Sequence, residues 1–212
     1  MNLIDISCPA GGLTEQDRQW LAAEIVSGLV GSDEIGEAGV PEDTMRRARR
    51  MTHVGFRELT DWTTGDGPWQ PGSAPPLWVT ATVPEEWREE LSRHLFGWVR
   101  RAVKRLDQRH GWQRDGGSLW INLVGIADGS IGLNGKPTTA DDVVLFMTEE
   151  FRSRLDAGLK LPEGIVVDPI CGMQVRLGPR AITLEQGDEV VGFCAKSCRD
   201  AYARRHAIPI PD

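Results

Sequence analysis

The sequence predicts an α/β (α+β) chain of two parts, a duplicated β-α-β layer followed by a small module of different composition. Three observations predict it. An apolar/polar alternation, a helical apolar face and a second alternation succeed one another over residues 2–60, and the same order returns over 77–127. All eight tryptophans, Trp20 to Trp120, precede residue 121, whereas three of the four cysteines, Cys171, Cys194 and Cys198, fall in the last 42 residues. Between the halves lies DAGLKLPEG, residues 156–164, where a helical pattern ends at Gly158 and where Pro162 and Gly164 block its continuation. The expected organisation is a first domain over 1–155, a linker over 156–164 and a second domain over 165–212.

Each element has its own signal. LIDIS alternates apolar and polar residues and reads as a strand. LTEQDRQWLAAEIVSGLVG follows, with Leu21, Ala22, Ile25, Val26 and Leu29 on one helical face and Thr14 as N-cap, Asp17 standing three residues on. A polar stretch containing Pro41 leads to THVGFREL, a second strand, and then to the Gly- and Pro-rich loop TDWTTGDGPWQPGSAPP. PLWVTATV is a strand again. In the long helix PEEWREELSRHLFGWVRRAVKRLDQRH, Pro84 suits the first turn, and Trp87, Leu91, Leu95, Trp98, Ala102 and Leu106 recur every three or four residues. SLWINLVGI is the next strand, ended by the turn-rich ADGSIGLNGKP. Thr139 caps a further helix, ADDVVLFMTEEFRSRLDAG, with Asp141 and Asp142 in its first turn, where negative charge suits the helix dipole. The repeat predicts parallel strands with helices on one sheet face, because each short parallel crossover needs its helix.

Composition narrows the function classes. A net charge of −7 argues against a general nucleic-acid binder, although Arg46, Arg47, Arg49 and Arg50 form one basic cluster and Arg100, Arg101, Lys104, Arg105 and Arg109 another. No run approaches the roughly 18 apolar residues that span a bilayer, and MNLIDISCPAGG lacks a basic stretch followed by an apolar one. A cytoplasmic protein without nucleic-acid or membrane partners is expected. In that reducing compartment, clustered cysteines point to a metal site before disulfides.

The opening LIDISCPAGGLTEQDRQWLAAEIV, the second start PLWVTATVPEEWREELSRHLFGWV and the segment SLWINLVGIADGSIGLNGKP resemble the tautomerase superfamily over residues 2–137. The likeness is greatest to fused members such as the chloroacrylic acid dehalogenases and malonate semialdehyde decarboxylases. The resemblance implies a β-α-β pair, a trimeric assembly and chemistry by an amino-terminal proline exposed once Met1 is removed. Here that position is Asn2, too large for routine removal of Met1, so the expected terminus is a primary amine with an ordinary pKa of about 7.7–8.0. Leu29 stands near the place of the family's helical histidine, and Pro84 and Trp87 near its arginines, with Arg88 adjacent. Arg18, Arg57 and His53 remain as catalytic candidates, set against ordinary solvated or packed side chains. Cys8, beside Pro9, reads as a small buried apolar group, with a nucleophile or a fourth metal thiolate as alternatives.

The tail VVDPICGMQVRLGPRAITLEQGDEVVGFCAKSCRDAYARRH carries the sharper pattern. Val166-Val167 suggests a short strand, 181–184 and 189–193 a hairpin turned at Gln186-Gly187-Asp188, and CAKSCRDAYARRH a helix. Cys194 and Cys198, four apart, fall one turn from each other on one helical face. Gly172 permits the tight turn that aims Cys171 at the start of that helix, where the dipole favours negative sulfur. Asp168, Pro169, Cys171, Gly172 and Met173, with Phe193, Cys194, Cys198 and Tyr202, resemble the YHS domain, a small metal-associated module, over about residues 166–206.

Thiolates are soft donors, so Zn(II) and Cu(I) are the candidate ions. Structural zinc prefers four protein ligands, and the fourth is open among His206, Asp168, Cys8 and water; Met173 is a soft donor with a packing role in so small a core. The leading expectation is a metal-binding protein, for metal handling or sensing, on a tautomerase-like scaffold without the proline. The alternative is an isomerase, hydratase or lyase using the first domain's cavity with a structural metal tail; a third is a pure assembly protein. Unprotected sheet edges and an uncovered sheet face call for a partner, and the resemblance to fused tautomerases implies that the assembly is a homotrimer.

Overall fold

The computed structural model describes residues 2–31, 40–187 and 189–209. Met1, and Asp188 of the expected hairpin turn, lie outside them. In chain order the elements are β1 (Asn2–Pro9), α1 (Glu15–Val30), α2 (Glu42–Arg50), β2 (Thr52–Leu59), β3 (Thr63–Thr64), β4 (Gly67–Pro68), β5 (Leu77–Pro84), α3 (Arg88–His110) and β6 (Leu119–Ile126). They continue with β7 (Ile131–Leu133), β8 (Lys136–Thr138), α4 (Ala140–Asp156), β9 (Ile165–Val167), β10 (Gln174–Arg176), β11 (Ile182–Gln186), β12 (Glu189–Phe193) and α5 (Lys196–His206). A 3₁₀ turn over Glu85–Trp87 precedes α3. The chain forms two compact units, one of 1–31 and 51–126, the other of 32–50 and 127–212.

The first unit is a four-stranded sheet in the order β2-β1-β5-β6. β1 pairs with β2 in parallel and β5 with β6 in parallel, each across its own helix, as the repeat requires. Between the halves, however, β1 and β5 run antiparallel. Parallel pairing is enforced only within a half, where the helix returns the chain to the same end; the connection over 60–76 lets β5 run back along β1. Alternation puts Ile4, Ile6 and Cys8 of β1 and Leu77, Val79, Ala81 and Val83 of β5 inside, on the face covered by α1 and α3. The helices contribute Leu21, Ile25 and Leu29, and Leu95, Val99 and Leu106.

Polar contacts fix the helix ends. Thr14 and Asp17 form a reciprocal capping box on α1. Asp17 Oδ1 also lies 2.8 Å from His110 Nε2 at the far end of α3. Burial pushes the Asp17 carboxyl up, but hydrogen bonds from Thr14 and His110 and the His110 charge outweigh it and hold the group below its ordinary value. The opposite sheet face is not covered by α1 or α3. Ser7, Trp78 and Trp120 stand side by side in register there, and Leu3, Thr82 and Val124 form a second row. Trp78 is 52% exposed and Trp120 59%.

The second unit joins α2, the β7–β8 hairpin, α4 and the tail. α2 has few apolar residues and buries only Thr44 and Ala48, so charge pairing against α4 supplies much of its attachment. Arg47 donates to the Phe146 carbonyl at 2.5 Å and pairs with Glu149 and Glu150 at 2.7 and 2.8 Å. Thr139 and Asp142 form a second capping box, on α4. In the tail, Leu184, Phe193 and Ala203 make a small core with Tyr202, Cys198 and Ile208 against it. The boundary expected at 155 falls inside this unit, as does the segment 156–164. The cause is local: Thr148 and Arg152 of α4 seat directly against residues 169–172, as follows.

Candidate metal centre

The site begins with the connection between β9 and β10, residues 168–173. Backbone hydrogen bonds from Gly172 N to Asp168 O and from Asp168 N to Met173 O, both 2.8 Å, close it. Gly172 has φ +70°, the left-handed conformation expected of the tight turn. α4 supports the turn from outside. Arg152 Nη2 donates to the carbonyls of Pro169 and Ile170 at 2.8 and 3.2 Å, and its Nε donates to Thr148 Oγ1 at 3.2 Å. Thr148, fully buried, donates its own hydroxyl to Val144 O.

The second cysteine segment arrives at the end of β12. A Cβ on Gly192 would stand 2.7 Å from Val166 Cγ2, so only glycine lets β12 pass this close to β9 and deliver Cys194 beside the turn. Here the structure corrects one detail. α5 begins at Lys196 with Ala195 as its N-cap, so Cys194 lies just before the helix and not on a helical face with Cys198. The two sulfurs still meet, 3.8 Å apart, at the helix start, and Cys171 Sγ lies 3.2 Å from Cys194 Sγ. One ligand atom from each of Asp168, Cys171, Cys194 and Cys198 falls within 4.8 Å of the others. Cys171 and Asp168 are buried, Cys198 is half-buried and Cys194 is exposed.

The electrostatics suit a cation. Hydrogen bonds from the Cys194 and Cys198 thiols bring the Cys171 thiol down to about 6. The same contacts push the Cys194 thiol up, chiefly through its hydrogen bond with Cys171, and the Cys198 thiol up through its bonds with Cys171 and Cys194. One thiolate is thus favoured and two further charges are resisted by mutual repulsion. A soft cation at this point relieves that repulsion and permits three thiolates, and the positive N-terminal end of the α5 dipole adds to the field.

The other sequence candidates lie elsewhere. His206 is near the end of α5, stacked on Tyr202 with ring centroids 4.1 Å apart, and is not in the converging group. Cys8 is fully buried in the first unit; burial, then the neighbouring Glu58, push its thiol up, which fits the inert reading. Arg18 donates to Leu13 O at 2.8 Å and pairs with Glu58 at 3.2 Å on the helix side of the sheet. His53 and Arg57 are exposed on β2, in register with Leu3 and Ser7 of the open face, and Arg57 faces Asp5 at 3.8 Å. Arg18 is therefore separated by the sheet from His53 and Arg57. Arg152 and Thr148 were not singled out by sequence reasoning; no local pattern ties residues 148–152 to a turn some 20 residues on.

No family model and no curated protein matches the chain. Solved structures do. The chain is similar to Pt0534, a protein solved as inactivated by 2-oxo-3-pentynoate, at 15% identity over 66% of this chain and 98% of that one, with a TM-score of 0.48. It is similar to a native fused 4-OT at 17% identity over 66% and 98%, TM-score 0.47. A member of the cis-3-chloroacrylic acid dehalogenase family, N1, matches at 12% identity over 73% and 99%, TM-score 0.46. The mixed α/β architecture stated above follows from the chain's own strand order and register.

Proposed function

We propose that the chain is a metal-binding protein in which Cys171, Cys194 and Cys198 hold one thiophilic ion, Zn(II) or Cu(I), and that it works in metal handling or sensing. The observation that carries this reading is the convergence of three sulfurs and a buried carboxylate within 4.8 Å of one another. Such a donor set is soft, which selects thiophilic ions over Mg or Ca. In this reading residues 165–212 are a YHS-like module that uses α4 as an outer support, and the first unit is a tautomerase-like scaffold whose amino-terminal amine lacks the proline. A reducing compartment, the cytoplasm, keeps the three thiols available. No described helix is long and apolar enough to cross a membrane. The open sheet face with Trp78 and Trp120 supports assembly as a homotrimer.

Elemental analysis of protein purified under reducing conditions tests the site. The wild-type chain is expected to carry one ion, and a Cys194→Ser/Cys198→Ser variant none. Equal metal content in the two would sink the assignment.

A further inference from the structure

We infer that Asp168 is the positioning residue of the thiol cluster and stays out of the ion's coordination, holding the Cys171 turn and the Cys194 segment together through backbone N–H groups. Asp168 is 0% exposed. Its Oδ1 accepts hydrogen bonds from the backbone N–H of Ile170 at 2.8 Å and of Cys171 at 3.2 Å. Its Oδ2 accepts from the backbone N–H of Cys194 at 2.9 Å, across 26 residues of chain. A buried carboxylate is tolerable only when its lone pairs are engaged, and charge-assisted bonds to amides are strong. Both oxygens are engaged here, and each serves a different cysteine segment. The three bonds fix the carboxylate's plane and hold it between the two segments, and rotating it toward an ion would bend them, the one to Cys194 N included, so the carboxylate contributes more as the link than as a ligand.

The proximity of Cys171 and Cys194 follows from this link. β9, β10 and β12 bring the segments near, but the Cys194 amide is tied to the Cys171 turn through one carboxyl group. The protein's ligands to the ion are then three sulfurs. This inference rests on the metal-binding reading only for its coordination; the link between segments stands without an ion, and the test separates the two.

Three measurements on the full chain decide it. In wild-type protein, amide exchange at Ile170, Cys171 and Cys194 is followed by NMR before and after adding Zn(II). Protection is expected to persist or rise, whereas loss of protection at these amides as zinc binds would show the carboxylate leaving them for the metal and overturn the proposal. Zinc-edge X-ray absorption is then compared with that of Asp168→Asn, whose amide nitrogen cannot accept from Cys194. The expected result is the same three sulfur neighbours with affinity lowered about tenfold or more, as for outer-shell groups; a light-atom neighbour lost in the variant, or unchanged affinity, would refute the role. Finally, in metal-free protein a bifunctional thiol reagent, dibromobimane, should bridge Cys171 and Cys194 more slowly in Asp168→Asn, and equal rates count against it. If wild-type protein takes up neither Zn(II) nor Cu(I), the metal-binding reading fails and the bridging rates and metal-free exchange alone judge Asp168. If Asp168→Asn does not fold, the wild-type exchange experiment still does.

Discussion

Gly172 packs against Thr148 so closely that a Cβ on the glycine would lie 3.0 Å from Thr148 Cβ. Gly172 belongs to the turn that presents Cys171, and Thr148 to the middle of α4, so this turn is seated on a helix that precedes the tail in sequence.

Two penalties therefore meet in Gly172→Ala. The left-handed backbone at φ +70° costs an L-residue about 1–2 kcal/mol, and the new methyl must displace Thr148. The expected outcome is a fall of several degrees in the unfolding temperature of the second unit together with weaker metal binding. Adding Thr148→Ala removes the Cγ2 and Oγ1 contacts, at 3.1 and 3.4 Å from the new methyl, but leaves the Cβ contact and the backbone strain, so the double variant should recover only part of the loss. A calorimetric double-mutant cycle with no coupling between the two positions would show that the contact is slack.

The turn, the two cysteine segments and their helix were legible because each is a local pattern: a D-P-x-C-G-M string, a C-x3-C pair and a short helical composition. The same holds for both β-α-β repeats and for the helix caps, Thr14 with Asp17 three residues on and Thr139 ahead of an acidic first turn. What was not legible depends on distant pairing. α2 offers no apolar stripe, and Arg47 finds Phe146, Glu149 and Glu150 roughly a hundred residues away. The antiparallel seam of β1 and β5 has no local signature, and β10 is a three-residue strand recognisable only beside β9. Cys194, read as helical from its spacing, instead precedes the helix because Ala195 already has extended backbone geometry, φ −146° and ψ 158°.

Acid stability provides an independent check on the first unit. The Asp17 carboxyl is held below its unfolded value, so its stabilisation is fully present above about pH 4, the ordinary range for Asp, and is lost as pH falls through the lower folded value. Thr14→Ala should cost about 1 kcal/mol at neutral pH by removing one half of the cap. Asp17→Asn should be destabilising at pH 6 and progressively less so, relative to wild type, below pH 4. A wild-type-to-variant difference that stayed constant from pH 6 to pH 2 would contradict the assignment.

Removal of the ion should act on one unit and spare the other. The Cys171 turn holds the C-terminal half of α4 through Arg152, and Lys160 follows four residues after that helix ends. Chelation is expected to speed tryptic cleavage at Lys160 and amide exchange in the tail. All tryptophans belong to the unit formed by 1–31 and 51–126, so their fluorescence should barely change. Cleavage and exchange that stay the same while metal is shown to leave would mean that the ion is held loosely and does not fold the tail.

The proposed trimer is expected to use the open sheet face. Trp78 and Trp120 sit in register on adjacent strands at 52% and 59% exposure, with Leu3 and Val124 also exposed on that face at 39% and 41%. Large apolar side chains gathered on one face of a sheet, away from its helices, mark an interface more often than a solvated surface. Light scattering of the wild-type chain should give three times the 23.4 kDa chain mass. Trp120→Asp places a charge at the β6 end of the Ser7-Trp78-Trp120 row without touching the helix-covered core, and should shift the protein to monomer with its circular dichroism retained. A wild-type mass of one chain at every concentration would reject the trimer, and a trimer undisturbed by Trp120→Asp would move the interface to another surface.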